Sequence, residues 1–381
     1  MGLLPDRELL VNLRKELHKF PELSGNEEMT SLRITRFLQE LEPDEITGNI
    51  GGKGLAASFR GHSTGPRVII RAELDALPIN ESNDFDYRSS VPGVSHKCGH
   101  DGHMAIAAWV AKNFAAERPA KGELIVLYQP SEENGRGAYE VLNDPLFESI
   151  RPDYIIALHN LPGFERNEII LRDGVFAMAS VGMIIELRGR TSHAAEPEKG
   201  VSPTKAVSRI LNELPVLAER KEFRHFTLAT IIHVKIGEVA FGTNPGEAVV
   251  MATLRAYDNG EMEKLAGMAE TLIREIAVKE RLGISVRWTE KFPATVNDEF
   301  LNGMIDRLGK EAGLKVNRIE NAFRWSEDFG WFTKQYRGSL FGIGAGKGHP
   351  QLHSPDYDFP DDIMEAGAGI LTSACRELLK I

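Results

Sequence analysis

Compact apolar runs without polar alternation recur in the first half of the chain. Such runs predict strands that are buried on both faces of a sheet covered by helices. A helical stretch from Ala105 to Ala116 lies between the first two runs, so the layout is α/β. The three runs are Val68–Ile70, Leu124–Tyr128 and Tyr154–Leu158.

An amphipathic helix precedes these strands. Ser24-Gly-Asn-Glu27 has the pattern of a capping box, which predicts that the helix begins directly after it. The apolar face follows at the spacing i, i+3, i+4 and i+7, which is typical of one side of a helix. That face is formed by Ile34, Phe37, Leu38 and Leu41.

The middle of the chain changes character at about Ala179. Its pattern predicts the order strand, helix, strand, strand, helix, strand, which is the ferredoxin-like split βαβ unit. We therefore predict an inserted domain at residues 179–289, within a larger α/β domain built from residues 1–178 and 290–381. The six elements are Val181–Leu187, Ser202–Leu217, Phe226–Ile236, Ala248–Ala256, Glu261–Lys279 and Ile284–Thr289; a helix at Glu299–Ala312 follows them.

Charge and composition narrow the classes of partner. The net charge is −10 without a basic stripe, so we expect no nucleic-acid partner. The sequence has no apolar run long enough to span a bilayer and no signal-peptide pattern at its start, so we expect no membrane partner. The two cysteines, Cys98 and Cys375, are typical in number of a cytoplasmic protein, which is the location we expect.

Charged side chains and imidazoles follow each predicted strand of the larger domain. Arg71-Ala-Glu73-Leu-Asp75 follows the first strand, Gln129-Pro-Ser-Glu132-Glu133 the second, and His159 the third. Open α/β sheets bind their ligands at the carboxyl ends of strands, so these groups are candidates for one site.

The densest group of potential ligands is His96-Lys-Cys98-Gly-His100-Asp101-Gly-His103. Sulfur, nitrogen and oxygen donors of this kind suit borderline divalent cations, and the glycines permit a tight loop. The adjacent Glu132 and Glu133 suit two roles, one as a metal ligand and one as the acceptor of a proton from metal-bound water. The alternative for residues 96–103 is a surface loop with a buried cysteine, and the alternative for Glu132 and Glu133 is a solvated acidic turn. His353, which follows a glycine-rich segment late in the chain, is a further candidate whose alternative is a structural role.

Several motifs together resemble the M20 metallopeptidase family, in particular its branch of hippurate hydrolases, indole-acetyl-amino-acid hydrolases and aminoacylase-like amidohydrolases. The resemblance runs the whole length of the chain. It rests on the motifs that begin at Leu17-His18, Arg71-Ala-Glu73, Cys98-Gly-His100, Gln129-Pro-Ser, Ser192-His193 and His353-Ser-Pro355.

The resemblance implies a hydrolase that cleaves the amide bond of N-acyl amino acids, with acetyl, benzoyl or similar acyl groups, through water activated by two divalent ions (Mn, Zn, Co or Ni). It implies a homodimer or a higher oligomer, with the inserted domain as lid and dimerisation domain. It assigns the general base to Glu132, a supporting carboxylate to Asp75, and an oxyanion contact that acts across a dimer interface to His193. Asn244 and Arg255 match substrate contacts. The implied metal ligands are Cys98, His100, Glu133, His159 and His353.

Departures from the family pattern leave the acyl preference open. Glu73 stands where relatives usually carry aspartate, Glu198 stands where many carry histidine, and the segment 158–162 lacks a common tryptophan. A dipeptidase or carboxypeptidase of the same fold and a catalytically inactive ligand-binding relative remain alternatives. Candidates for lining the acyl pocket are Phe176, Met178, Phe241 and Trp325, each of which also suits ordinary core packing.

Three other enzyme classes have weaker support. Gly61-His-Ser63-Thr-Gly65 fits the nucleophile-elbow pattern of serine hydrolases, but it lies between two predicted strands and we interpret it as a hairpin loop. Cys98 and His100 lie too close in sequence for a typical cysteine hydrolase, whose partners come from distant segments. The chain contains neither a GxGxxG nor a P-loop pattern, so a nucleotide enzyme is unsupported.

Overall fold

The structure is a computed structural model that describes residues 4–380. Its helices are α1 (Leu4–Lys19), α2 (Glu28–Gln39), α3 (His100–Ala116), α4 (Gly137–Asn143), α5 (Thr204–Leu217), α6 (Asn259–Lys279), α7 (Glu299–Glu311), α8 (Gly330–Thr333) and α9 (Met364–Leu379). Short 3₁₀ turns span Pro145–Ile150, Pro197–Lys199 and Asp361–Ile363.

Each predicted strand is present, extended or shifted by a few residues, and further strands that were not predicted accompany them. They are β1 (Glu45–Ile50), β2 (Gly54–Arg60), β3 (Arg67–Glu73), β4 (Glu123–Gln129), β5 (Tyr154–Pro162), β6 (Ile169–Leu171), β7 (Gly174–Ala177), β8 (Ala179–Arg188), β9 (Ser192–His193), β10 (Thr227–Ile236), β11 (Thr243–Asn244), β12 (Glu247–Ala256), β13 (Gly283–Phe292), β14 (Thr295–Asn297), β15 (Val316–Arg318) and β16 (Arg337–Gly346).

The chain divides into two compact units. Unit 1 comprises residues 1–176, 295–321 and 328–381, and unit 2 comprises residues 177–294 and 322–327. Unit 1 contains an eight-stranded sheet in the order β1-β2-β4-β3-β5-β16-β6-β15. Its central strands β4, β3, β5 and β16 pair in parallel, and antiparallel pairs lie toward the edges. The predicted α/β class with a mixed, largely parallel sheet is confirmed.

The central strands of unit 1 are covered on both faces. Every residue of β4 is buried, as are all residues of β3 after Arg67, which explains why their sequences show no polar alternation. Helix α3 packs against β3 and β4 and also contacts α1 and α9. The carboxyl ends of these strands therefore meet beside the beginning of α3, where polar side chains can be buried together.

Two local predictions in unit 1 were wrong. Strand β4 lies between β2 and β3, so the segment 61–65 is a crossing loop and not a hairpin. Helix α2 begins at Glu28 without a side-chain cap from its N-cap residue, and Ser24 donates to Asp75 instead. Glu22 takes over the capping function, because its carboxylate accepts from the Thr30 backbone N–H at 2.6 Å.

Unit 2 has the predicted ferredoxin-like order. Its four-stranded antiparallel sheet runs β10-β12-β8-β13, and α5 and α6 pack on the strands. Alternate residues of β12, from Ala248 to Ala256, are buried, while their neighbours are half-buried or exposed. That alternation is what a sheet covered on one face requires.

Within residues 4–380, none of the helices combines the length and the apolar character needed to cross a membrane.

Candidate metal centre

Strand ends of unit 1 bring together side chains that are far apart in sequence. One set of ligand atoms belongs to Cys98, His100 and His159, and a second belongs to Cys98, Glu133 and His353. Within each set the atoms lie within 4.8 Å of one another. Cys98 belongs to both sets, so the structure joins all five sequence-predicted ligands into two adjoining groups around one thiol.

A glycine allows the loop that carries Cys98 to lie close to its neighbours. Gly99 has a φ of +95°, which favours glycine, and α3 begins at the next residue. A Cβ at this position would lie 2.3 Å from Asn160 Oδ1, which is far inside van der Waals contact. The predicted tight loop therefore exists at Gly99, and it places the Cys98 and His100 side chains on the same buried site.

His100 has one nitrogen engaged and one available. Its Nδ1–H donates to the Asp75 backbone carbonyl at 2.8 Å. Its buried Nε2 makes no hydrogen bond to any described residue, and it lies 3.8 Å from Glu133 Oε1 and 3.9 Å from Glu132 Oε2. Burial lowers the pKa of His100, but the Asp75 hydrogen bond and the charges of Glu73 and Glu133 outweigh it and raise the pKa to about 10. The surrounding acids thus favour a cation at this point.

His159 is held in the form that a metal ligand requires. It lies inside β5, because the strand continues to Pro162 and does not end before the histidine as predicted. Its Nδ1–H donates to the Asn160 carbonyl at 2.9 Å, and Nε2 lies 3.5 Å from Cys98 Sγ. Burial, with the neighbouring His103, lowers the pKa of His159 to about 3, so the ring is neutral and its Nε2 lone pair can bind a metal.

Asp75 connects three parts of the site. Its carboxylate accepts from the Glu133 backbone N–H at 2.9 Å and from Ser24 Oγ at 2.7 Å, while its carbonyl accepts from His100. Burial raises the pKa of the carboxyl group, but the nearby His100, together with the hydrogen bonds from Ser24 and the Glu133 N–H, outweighs burial and lowers it. The carboxylate therefore stays ionised behind His100 and Glu133, which is the geometry of a group that orients metal ligands.

The two adjacent glutamates face different neighbours. Glu132 Oε1 accepts from the Asp328 backbone N–H at 3.4 Å, and its Oε2 faces His100. Glu133 Oε2 lies 3.8 Å from His353 Nε2. The preceding residue, Ser131, has a φ of +56°, and its N–H donates to the buried Glu27 at 2.8 Å. This turn places Glu133 in the set with Cys98 and His353, while Glu132 lies beside that set, facing His100.

His353 comes from the segment that follows β16. Its backbone has a φ of +64°. That conformation is uncommon for a residue with a Cβ, and the His353 side chain is half exposed. Its N–H donates to the Lys97 carbonyl at 2.7 Å. Burial and the nearby His100 lower the pKa of His353, which favours the neutral ring.

Sequence reasoning named Arg71, Glu73 and His103 as candidates but missed that buried partners, Asp328 and Asn160, link them into a polar chain behind the ligands. Arg71 pairs with Glu73 and with Asp328. His103 follows, with Nδ1 2.7 Å from Glu73 and Nε2 2.6 Å from Asn160 Oδ1. One signal was available, because an arginine and a glutamate inside the apolar strand 67–73 require buried partners. Asp328 has no comparable local signal.

Two candidate residues of unit 2 lie side by side. His193 and Asn244 belong to neighbouring strands, β9 and β11, with His193 opposite Thr243. The Ala195 N–H donates to His193 Nδ1 at 3.1 Å, so the ring proton lies on Nε2, and the side chain is exposed. Arg255, the third candidate, lies near the carboxyl end of β12. Its guanidinium donates to the Arg324 carbonyl at 2.9 Å and to Ser326.

Comparisons with known proteins give matches over most of the chain. The model of peptidase family M20/M25/M40 matches residues 69–377. The chain is 29% identical to the N-acetyldiaminopimelate deacetylase of Exiguobacterium sibiricum, over 97% of this chain and 99% of the relative. It is 27% identical to the hippurate hydrolase of Campylobacter jejuni, over 97% and 96%. The solved Bacillus subtilis YXEP protein, described as a dinuclear metal binding peptidase, superposes with a TM-score of 0.82 at 23% identity, covering 98% of both chains.

Proposed function

The chain belongs to peptidase family M20/M25/M40, and we propose that it is a metal-dependent hydrolase of the amide bond in N-acyl amino acids. One observation carries the proposal: two ligand sets share the Cys98 thiol, and a further carboxylate, Glu132, lies beside them. The relatives that are named as a deacetylase and a hippurate hydrolase act on substrates of this class.

The residues present fit a pair of divalent ions. The donors are a buried thiol, three imidazoles and a carboxylate, and His100 Nε2 is buried without a hydrogen bond from the described part of the chain. Bound cations would polarise the scissile carbonyl and lower the pKa of a bound water. We propose Mn, Zn, Co or Ni as candidates, because such a donor set accepts several borderline metals. The holding residues would be Cys98, His100, Glu133, His159 and His353.

Glu132 is the proposed general base. The Asp328 N–H orients one of its oxygens, and the other faces the ligand sets. A carboxylate in this position accepts the proton of the attacking water and passes it to the leaving amine. Asp75 is proposed to keep His100 and Glu133 in place through its hydrogen bonds.

Unit 2 is proposed to supply the contacts to substrate. The backbone N–H of Ala195 fixes the His193 proton on Nε2, which supports a donor role toward the developing oxyanion. Asn244, in the strand paired with β9, is proposed to bind the substrate carboxylate, and Arg255 to contact its polar groups. Residues 179–289 would form the lid and dimerisation domain.

The proposed assembly is a homodimer formed through unit 2. Strand β10 is an edge of the four-stranded sheet, and Leu228, Ile232 and Val234 are exposed on it, Ile232 at 61%. An edge strand with apolar side chains is suited to pairing with a second copy. We also propose a cytoplasmic location, supported by two buried cysteines that are not joined in a disulfide.

A metal-reconstituted substrate screen tests the function. Protein stripped by a chelator should lose activity and regain it with Mn²⁺, Co²⁺ or Zn²⁺, and the panel should contain acetyl-, benzoyl- and succinyl-amino acids plus dipeptides. Hydrolysis of an N-acyl amino acid supports the proposal. Exclusive cleavage of dipeptides would replace it by a dipeptidase, and metal-replete protein that binds but never cleaves would indicate a binding protein.

A further inference from the structure

Lys97, the residue before Cys98, is an unusual occupant of a protein interior. Its side chain has no exposed surface. A lysine ammonium is rarely buried, because it loses its hydration, and it needs ionic and hydrogen-bonding partners where it is. Glu81, itself 4% exposed, supplies the charge, since its carboxylate accepts from Lys97 Nζ.

Lys97 contacts the segment that carries His353 at two points. Its backbone carbonyl accepts from the His353 N–H at 2.7 Å. Its Nζ donates to the Tyr357 carbonyl at 2.7 Å. Main chain and side chain of one residue therefore hold both ends of the segment 353–357, on which one proposed metal ligand lies.

The geometry of that segment depends on such contacts. His353 has a left-handed backbone and a half-exposed side chain, so packing of its own ring does little to fix it. Residues near Glu81 add support, because the Ser82 N–H donates to the Pro355 carbonyl at 3.0 Å and Asn83 Nδ2 donates to the Tyr357 carbonyl at 3.1 Å.

The acidic partner of Lys97 is fixed from other directions. Glu81 lies 2.9 Å from His18 Nε2 and accepts from the Ser89 N–H at 2.6 Å. Burial raises the pKa of Glu81, but the hydrogen bonds from His18 and Lys97 outweigh it and lower the pKa to about 2. The Lys97 ammonium therefore has an ionised partner that is held in place. This partner fixes the position from which Nζ donates to the Tyr357 carbonyl.

We propose that Lys97 is a positioning residue that sets His353 relative to Cys98 and so closes the ligand set Cys98, Glu133 and His353. The inference rests on the proposed function only in its assumption of a metal pair. It predicts that loss of the Lys97 side chain weakens the ion held with His353, while the ion held by Cys98, His100 and His159 remains.

The first test compares two variants of the buried pair. Lys97→Met alone leaves the Glu81 carboxylate buried without its ionic partner, so the main variant is Lys97→Met with Glu81→Gln. Glu81→Gln alone is the control, because it keeps the Lys97 side chain and its donor to the Tyr357 carbonyl. Zn²⁺ titration of stripped protein, followed by calorimetry and metal analysis, should show one ion bound about 10–100-fold more weakly in the double variant only. Equal weakening of both ions, or wild-type binding of both, would overturn the proposal.

A double-mutant cycle with His353→Ala separates positioning from general loosening. If Lys97 acts through His353, adding Lys97→Met and Glu81→Gln to His353→Ala costs no further metal affinity. Additive losses would overturn the inference. Failure of the proposed function and failure of the Lys97 proposal are distinguishable. Wild-type protein that binds no pair of ions contradicts the proposed function. Wild-type protein that binds two ions, together with a double variant that binds both with wild-type affinity, contradicts only the role of Lys97.

Discussion

The eight-stranded sheet of unit 1 and the four-stranded sheet of unit 2 hold their candidate functional residues in different ways. Near the ends of strands covered on both faces lie side chains that are buried and hydrogen-bonded, such as Asp75 after β3 and His100 at the start of α3. In unit 2, whose sheet is covered on one face, the candidate residue His193 is exposed. Its ring receives one backbone hydrogen bond, from the Ala195 N–H, which fixes the ring proton on Nε2.

The difference follows from what each set is proposed to do. Side chains that hold cations must be brought together before the ion arrives, and in a buried place each charge needs a partner. A side chain that meets substrate must be reachable from solvent. We therefore expect substitutions of the metal-holding side chains of unit 1 to change metal content, and substitutions of the substrate-contacting side chains of unit 2 to change kinetics alone.

Replacing the shared thiol should have the largest effect. Cys98 belongs to both ligand sets, so Cys98→Ala removes one donor from each. We expect loss of both ions, measured by metal analysis, and a fall in kcat beyond the roughly 10⁴-fold that a lost general base can cost. The buried Cys375 gives a matched control, Cys375→Ala, which should keep both ions. A Cys98→Ala protein with two bound ions would remove the basis of the comparison.

Glu132→Gln should separate chemistry from metal binding inside unit 1. We expect kcat to fall by about 10²–10⁴-fold, because the amide cannot accept the proton of the attacking water. Metal content should stay at the wild-type value. The exposed Glu148→Gln is the control, and hydrolysis by Glu132→Gln at the parental rate would show that the assigned base is wrong.

His193→Ala examines the other side of the comparison. We expect kcat to fall by about 10²–10³-fold through loss of an oxyanion contact, with unchanged metal content and melting temperature. The exposed His233→Ala on β10 is the matched control in the same unit. A lowered melting temperature or lost metal would mean that unit 2 also holds its functional residue by packing.

Alkaline pH should lower the unfolding free energy of unit 1, because His18 loses its proton there. Burial lowers the pKa of His18, but the hydrogen bonds to Asp101 and Glu81 outweigh it and raise the pKa from 6.5 to about 9. This stabilisation is complete below about pH 6.5 and is lost as the pH rises through about 9. The shift in pKa corresponds to on the order of 3 kcal/mol of unfolding free energy. Urea unfolding from pH 6 to 10 measures it, and a His18→Gln variant should lack this part of the pH dependence. An unchanged profile in that variant would contradict the assignment.

A pair of glycine substitutions should give the smallest effect and the most direct comparison. Gly99→Ala meets both a φ of +95° and Asn160 Oδ1 at 2.3 Å, so we expect a loss of about 1–3 kcal/mol in unfolding free energy. Gly242→Ala in unit 2 meets open space. Its unfolding free energy should therefore stay close to wild type, as for most surface substitutions, with a change of about 0.5 kcal/mol or less. Equal losses would show that the two regions are equally constrained.

Much of the fold was predictable because each element has a local cause. Uninterrupted apolar runs predicted β3, β4 and β5, and the changed pattern from about Ala179 onward predicted the strands of unit 2. Pairing order was less accessible, since nothing local to residues 54–73 indicates that β4 lies between β2 and β3. The start of α2 was misjudged because Glu22 caps the helix from a distance in sequence.

The ligand residues were predictable from clustered chemistry, whereas their supports were not. Cys98, His100 and Glu133 stand in short motifs that are dense in thiol, imidazole and carboxylate groups. Asp328 and Tyr357 act through contacts with residues about 200 positions away, and their own sequence surroundings are ordinary. Long-range burial decides such roles, and a single sequence does not display it.

The place of β16 between β5 and β6 has a consequence for the order of events during synthesis. Residues 337–346 leave the ribosome long after the strands on either side of them, and His353 follows later still. At about 5–20 residues per second, roughly 10–40 seconds separate the emergence of His159 from that of His353. Until residue 353 has emerged, Cys98 lacks part of its set of neighbouring side chains, so the ligand set Cys98, Glu133 and His353 is completed only after that point.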